Sequence, residues 1–137
     1  MLGFRGSSKM RAHRKHTAAA QRSAERRQRE DEAPRLRDEV PELLHLSLDI
    51  EERSEGTAAL QQKHTRHIVV DHAPALFLIP CGDPKCEDGG HDVTYAIMRS
   101  LRGRETEFTG EDGCSGSLGG GTCRRVLYYL AAAEYRR

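Results

Sequence analysis

The sequence predicts an α+β domain with a small, largely antiparallel sheet of about five strands, one covering helix and cysteine-bearing loops. Three observations predict this class: a period-two apolar pattern after residue 40, an amphipathic stretch between Asp92 and Gly103, and four cysteines confined to residues 81–123. The 137 residues suffice for one modest domain and a tail. We expect residues 1–40 to form a basic N-terminal arm, helical or disordered, and residues 41–137 to form the domain.

The arm is predicted from the uneven distribution of charge. Residues 1–37 contain 11 Lys or Arg against four Asp or Glu, a net charge of +7, whereas residues 38–137 carry a net charge of −6. Good helix formers occupy residues from about Lys9 to Glu32, and Pro34 favours a stop there. The arm has almost no apolar side chains to bury, so a helix there would be marginal without a partner.

Basic arms often bind polyanions, and this one is a candidate contact for RNA, DNA or a ribonucleoprotein. The alternative is a solvated tail, or one that folds back onto the acidic domain. The absence of aromatic residues after Phe4 in the arm argues against base stacking. The candidate phosphate-binding residues are Arg11, Arg14, Lys15, Arg22, Arg26, Arg27 and Arg29.

The first strand is predicted just after Pro41, where apolar and polar residues alternate and one face is expected to be buried. We expect residues 51–62 to form a polar connection, residues 66–71 a second strand, and residues 75–79 a central strand covered on both faces. The alternating apolar residues of the first strand are Leu44, Leu46, Leu48 and Ile50.

The covering helix is predicted over residues 93–102, with Asp92 as its N-cap and Gly103 as its C′ residue. After it, we expect a polar strand at residues 105–109, a Gly- and Ser-rich loop at 110–121 and a strand at 124–134. The helix face expected to cover the sheet contains Val93, Ala96, Ile97 and Leu101.

The cysteines form two pairs in turn-rich segments. Four residues separate Cys81 from Cys86, and eight separate Cys114 from Cys123. Turns can direct two thiolates each at one ion, which favours a tetrahedral zinc site with all four cysteines as ligands. Such a site would also compensate for the low hydrophobic content of 36%, because metal binding contributes folding free energy.

In these two loop-borne pairs, the chain resembles a zinc-ribbon-like module, although the first spacing is at the edge of the usual two to four residues and the second is longer. Another metal or an iron–sulfur cluster could use the same thiolates. Two disulfides, unconnected reduced cysteines and a catalytic thiol are the remaining interpretations. His91 could replace one cysteine as a ligand, but an exposed position beside the helix start is the more ordinary expectation.

Two classes of function fit these features. The first is a non-enzymatic, metal-stapled binding module whose arm contacts nucleic acid, with Arg124 and Arg125 extending the basic patch. A protein-partner adaptor is its variant, with Leu43 or an exposed face at Tyr128 or Tyr129 as contact surface.

The second class is a small zinc- or cysteine-dependent hydrolase, in which Cys81, Cys86 and His91 would act with Glu87. Four equivalent thiolates leave no open coordination position, and the usual zinc-hydrolase motifs are missing, so we expect no catalytic activity. We find neither an apolar run of about 20 residues nor a secretory signal, and we expect a cytoplasmic protein with no membrane span.

Overall fold

The computed structural model describes residues 20–56 and 59–137. Contacts divide the chain into two compact units, Met1–Glu32 and Ala33–Arg137. In the first unit, residues 20–32 form a helix, α1, which agrees with the helix-forming composition of that segment. The part of the predicted helix before residue 20 lies outside the described residues.

The second unit begins with a short helix, α2 (Leu36–Glu39), that belongs to the domain core. Leu36 and Val40 are almost fully buried within the same apolar cluster as the sheet residues. The Leu36 N–H donates a hydrogen bond to the carbonyl of Ala73, which fixes this helix to a distant part of the domain. Residues 33–40 are therefore part of the folded unit, ahead of the expected start at residue 41.

The α+β prediction is confirmed. The domain has a four-stranded antiparallel sheet in the order β2-β1-β8-β5 and two short hairpins, β3–β4 and β6–β7. The strands are β1 (Leu43–Ser54), β2 (Leu60–Ile68), β3 (Leu78–Pro80), β4 (Gly90–Asp92), β5 (Glu107–Gly113), β6 (Ser117–Leu118), β7 (Gly121–Thr122) and β8 (Arg125–Tyr135).

Strand β1 has the predicted alternation but differs in detail. A register shift between Leu43 and His45 buries Leu43 and leaves Leu44 40% exposed, so the expected inward position of Leu44 is wrong. The strand also continues to Ser54, and β2 begins at Leu60, so the predicted connection over residues 51–62 is wrong. Glu52 extends the buried face into that polar stretch.

The next two predicted strands are also misplaced. Strand β2 ends at Ile68 and residues 71–72 form a turn, so the expected strand at residues 66–71 lies too late in the chain. Residues 75–79 do not form a central strand; only the end of this run joins the short hairpin with β4. Its apolar character reflects core packing instead, because Phe77 and Ile79 are buried among the sheet residues.

The helix predicted after Asp92 is confirmed as α3 (Thr94–Arg102), with Val93 rather than Asp92 at the N-cap. Asp92 still accepts a hydrogen bond from the Thr94 N–H through Oδ1. Gly103 is the C-cap with φ −78°, and Arg104 follows with φ 57°, which corrects the C′ assignment.

The buried face of α3 places Ile97, Met98 and Leu101 in one core with Leu48 of β1 and Leu127 of β8. Ala96, expected on this face, is exposed. The predicted final strand is confirmed as β8, which lies between β1 and β5. The expected loop at residues 110–121 is interrupted by the end of β5 and by β6.

Candidate metal centre

The four cysteines meet at one point, although they come from two separate stretches of the chain. Their Sγ atoms all lie within 4.8 Å of one another, and all four thiols are free. The Sγ atoms of Cys86 and Cys114 are 3.6 Å apart, and those of Cys81 and Cys123 are 3.9 Å apart. A tetrahedral ion with metal–sulfur bonds of about 2.3 Å requires sulfur–sulfur separations of about 3.8 Å. The cluster can therefore hold a metal ion.

The first pair lies on the connection between β3 and β4. Cys81 follows Pro80 at the end of β3, and a turn at Asp83 brings Cys86 back towards it. In this turn the Cys86 N–H donates to the Asp83 carbonyl, and the Lys85 N–H donates to Asp83 Oδ1. The turn explains how two cysteines separated by four residues can face one ion.

The second pair flanks the β6–β7 hairpin. The Cys114 N–H donates to the carbonyl of Arg125, and the Cys123 N–H donates to the carbonyl of Gly116. Two backbone hydrogen bonds between Glu87 and Ser117 join this hairpin to the first loop. The hairpin thus spans the eight residues between the cysteines, which explains how a spacing longer than usual still brings both thiols together.

Two glycines allow the loops to approach this closely. A Cβ on Gly89 would collide with Sγ of Cys86 and lie 2.7 Å from Sγ of Cys114. A Cβ on Gly116 would lie 2.5 Å from Sγ of Cys86. The backbone therefore occupies the space beside the sulfurs, and the Gly116 N–H points at Cys114 Sγ at 3.4 Å. Backbone amides directed at thiolate sulfur are suited to a cluster that carries negative charge.

The thiols differ in their acidity. Burial raises the pKa of Cys81 far above its usual value, and burial together with the Cys114 thiol raises the pKa of Cys86 to about 12. Burial also acts to raise the pKa of Cys114, but the Gly116 N–H and the neighbouring thiols, Cys86 first among them, lower it overall.

A second cluster, built around two buried charged residues, lies beside the cysteines on the inner face of the sheet. We define the charged cluster as Glu52, His91, Asp112 and Arg125. His91 Nε2 lies 3.4 Å from Glu52 Oε1, and His91 Nδ1 lies 3.1 Å from Asp112 Oδ2. Arg125 Nη1 is 3.6 Å from Glu52 Oε2. The side chains of His91 and Glu52 are 0% and 3% exposed.

The charged cluster corrects two expectations. His91 is buried between carboxylates, so its expected exposed position beside the helix is wrong, and it is not a member of the four-cysteine group. Arg125 turns inward to Glu52 and does not extend a surface patch, whereas Arg124 is exposed. Sequence reasoning missed Glu52 and Asp112 altogether; the one available signal was that Glu52 continues the inward alternation of β1.

The members of the charged cluster stabilise one another's ionised forms. Burial would raise the pKa of Glu52, but contacts with His91, Gly82 and Arg125 lower it overall. Burial would lower the pKa of His91, but the nearby Glu52 carboxylate and the hydrogen bond with Asp112 raise it overall. A cationic imidazole between two carboxylates is the state that this geometry favours.

The candidate phosphate-binding residues are only partly described. Arg11, Arg14 and Lys15 lie outside the described residues, and Arg22, Arg26, Arg27 and Arg29 lie on α1. Arg26 forms an ion pair with Glu30 at 3.7 Å, one turn further along the helix. Arg22, Arg26 and Arg29 follow at spacings of four and three residues, so they share one face of α1.

The outer face of the sheet contains the exposed apolar residues of β8. Tyr128 is 38% exposed and Leu130 is 40% exposed, whereas Leu43 and Tyr129 are buried. Tyr128 therefore remains as a candidate contact residue for a protein partner, and Leu43 and Tyr129 do not. Acidic neighbours flank this stripe on both sides: Asp49 and Glu51 on β1 pair with Leu130 and Tyr128, and Glu111 on β5 pairs with Tyr128.

Comparison of the chain with protein-family models, with curated proteins and with solved structures found no match. Among the described residues, no helix has both the length and the apolar character to cross a membrane.

Proposed function

We propose that this protein is a non-enzymatic binding module in which a zinc ion, held by Cys81, Cys86, Cys114 and Cys123, fixes the two cysteine-bearing loops. The convergence of the four sulfurs within 4.8 Å supports this proposal most directly. Thiolates select zinc and other soft metals, and four of them complete a tetrahedral shell. A complete shell has no open position for substrate or water, which favours a structural ion over a catalytic one. A cytoplasmic location, where thiols remain reduced, belongs to the same proposal.

The zinc proposal is tested by elemental analysis of the purified, reduced full chain by inductively coupled plasma mass spectrometry. Thermal unfolding of the same sample is followed by circular dichroism with and without a chelator. We expect about one zinc per chain and a lower melting temperature after chelation. Iron or another metal at the same stoichiometry would replace zinc in the proposal. A metal-free chain whose melting is insensitive to chelator would overturn it.

We further propose that the basic side chains of the arm contact the phosphate groups of a nucleic acid, either free or in a ribonucleoprotein. The net charge of +5 on residues 1–32 and the shared face of Arg22, Arg26 and Arg29 support this role. Contacts of this kind release counterions, so affinity is expected to fall steeply with salt and to depend little on base sequence. Titration of the full chain with a fluorescent duplex DNA and a single-stranded RNA, over a series of salt concentrations, tests this proposal. Equal weak binding at all salt concentrations would contradict it.

An adaptor for a protein partner is the second candidate function, and the exposed stripe of Tyr128 and Leu130 favours it. A substitution of Tyr128 tests the exposed stripe separately from the arm. Replacing Tyr128 by Ser is expected to leave nucleic-acid binding unchanged, because Tyr128 is on β8 and not on the arm. If the full chain binds no nucleic acid at low salt, the adaptor becomes the better proposal.

A further inference from the structure

Glu52 is the member of the charged cluster with the most connections. Its two carboxylate oxygens accept the Gly82 N–H at 3.1 and 3.0 Å, and Gly82 directly follows Cys81. The same oxygens face His91 at 3.4 Å and Arg125 at 3.6 Å. Glu52 therefore connects strand β1 of the main sheet to the loop that carries the first cysteine pair.

The other contacts of the charged cluster reach the remaining cysteine segments. Arg125 lies two residues after Cys123, and its carbonyl accepts the Cys114 N–H at 2.9 Å. Asp112, which contacts His91, lies two residues before Cys114. His91 itself is on β4, opposite Ile79 of β3. The charged cluster thus contacts the chain segments that carry both cysteine pairs.

Packing alone does not explain a charged residue at position 52. Buried ion pairs contribute little net stability compared with apolar residues of similar volume, because both charges lose their hydration. The carboxylate instead supplies what an apolar side chain cannot, an acceptor for the Gly82 amide at a fixed position. Partners that orient metal ligands typically change metal affinity 10- to 100-fold when they are replaced.

We propose that Glu52 is a positioning residue of the metal centre: its carboxylate, held by His91 and Arg125, fixes the Gly82 amide and so sets the position of the Cys81 thiolate. The inference rests on the proposed four-cysteine metal site and adds a residue outside the ligand set. Gln62 also approaches Gly82, where its Oε1 would overlap with an added Cβ. The loop at Gly82 is therefore enclosed by β1 and β2 side chains, and Glu52 is its hydrogen-bond acceptor.

The test compares the full-length Glu52→Gln variant with wild type. Gln keeps the volume, but its amide has only one acceptor oxygen for the Gly82 N–H and lacks the negative charge by which His91 and Arg125 hold the carboxylate in place. We expect zinc to transfer to a competing chelator about 10- to 100-fold more readily, and the cobalt-substituted protein to show shifted visible absorption bands. The cobalt bands report on the ligand geometry of the folded, loaded protein, which a general loss of stability does not move.

Two variants of the same strand serve as controls. Glu51→Gln removes a carboxylate from the outer face of β1, where Glu51 pairs with Arg53 and Lys63, and is expected to leave zinc retention within about twofold of wild type. Ile50→Val weakens the core one inward position before Glu52. If Ile50→Val shifts the cobalt bands and zinc transfer as much as Glu52→Gln does, the role of Glu52 is only structural and the proposal is overturned.

The remaining outcomes are also decisive. Wild-type zinc transfer and cobalt bands in Glu52→Gln would overturn the positioning role while leaving the metal site intact. A wild-type chain that binds neither metal would overturn both the site and the role of Glu52. If Glu52→Gln does not fold, His91→Gln replaces it, because His91 holds the same carboxylate. His91→Gln removes one of the two contacts that hold the carboxylate, so we expect about half of the tenfold minimum effect on a logarithmic scale, a shift in zinc transfer of at least about threefold. An unchanged value would overturn the proposal.

Discussion

The Sγ atoms of Cys86 and Cys114 lie 3.6 Å apart, although 28 positions separate the two residues in the chain. The intervening segment contains β4, α3 and β5, so this contact closes the loop that carries the covering helix. A metal ion at this position would fix both ends of that loop in the folded state, and its binding free energy would add to the free energy of folding. The cysteine cluster is therefore placed where one ion can stabilise the packing of the helix against the sheet.

We expect Cys123→Ser to remove the metal and destabilise the domain. Cys123 is 3% exposed and its sulfur lies 3.9 Å from that of Cys81, so its loss leaves three thiolates and an incomplete shell. Zinc affinity should fall by more than about 100-fold, and the melting temperature should fall with it. Metal analysis and circular dichroism measure both effects. Thr122→Ser, an exposed neighbour on β7, is the control; full zinc content in Cys123→Ser would contradict the ligand assignment.

Zinc affinity should increase with pH. The raised pKa values of Cys81 and Cys86 mean that both thiols hold protons at neutral pH in the metal-free protein, and zinc must displace them. Because at least two protons leave, the apparent dissociation constant should rise about 100-fold for each unit by which the pH is lowered. Competition with a zinc-binding dye between about pH 6 and pH 8 measures this slope. A dissociation constant independent of pH would show that the thiols are not the ligands.

The sequence predicted the cysteine cluster but not the charged cluster beside it, for a physical reason. Cysteine pairs in turn-rich segments have few interpretations, and their spacing indicates the chemistry. Glu52 lies in a polar stretch with no apolar residue before Ala58, so the apolar alternation stops at Ile50 and a connection is the expected structure there. It is buried because Arg125 and His91 compensate its charge, and both are distant in sequence. The residues next to Glu52 in the sequence therefore do not indicate that its charge is compensated.

The sequence pattern identified some strands of the domain correctly and misassigned others. The alternation of β1 and the β-branched and aromatic residues of β8 identified both central strands of the sheet. Residues 75–79 were misassigned because an apolar run indicates burial and not hydrogen-bond pairing. Phe77 is buried by the core, and its N–H donates to Thr94 Oγ1 rather than to a neighbouring strand.

Gly116→Ala should impair metal binding without removing a ligand. A Cβ at this position would lie 2.5 Å from Cys86 Sγ and 2.6 Å from the Glu87 carbonyl oxygen, and the backbone would have to move. We expect zinc affinity to fall at least about tenfold, as for other residues that position ligands. Gly113→Ala is the matched control, because nothing lies within 4 Å of its added Cβ. Equal zinc affinity in the two variants would indicate that the loops tolerate a wider spacing.

Leu127→Ala should destabilise the domain through its core. Leu127 is 0% exposed on the central strand β8, opposite Glu52 of β1 and Asp112 of β5. Loss of its side chain should lower the free energy of unfolding of the zinc-loaded protein by about 2–5 kcal/mol. Leu130→Ala, on the outer face of the same strand, should change it by about 0.5 kcal/mol or less. Denaturant unfolding measures both, and equal effects would contradict the assignment of the two faces.

Arginines of α1 should set the salt dependence of nucleic-acid binding. Arg22 and Arg29 share a helix face, and each phosphate contact to duplex DNA contributes about 0.9 to the slope of log affinity against log salt. Replacing both by Gln should therefore weaken binding at low salt and reduce the slope by about 2.

The control for this prediction has the same change in net charge. Arg136 and Arg137 are exposed at the C-terminal end, and replacing both by Gln tests whether net charge alone governs binding. We expect this variant to keep the wild-type slope, because only direct phosphate contacts release counterions in proportion to their number. If both double variants reduce the slope equally, the arm attracts nucleic acid through the net charge of the chain, and α1 is not a specific contact surface. If only the α1 variant reduces it, the arm is the phosphate-binding element.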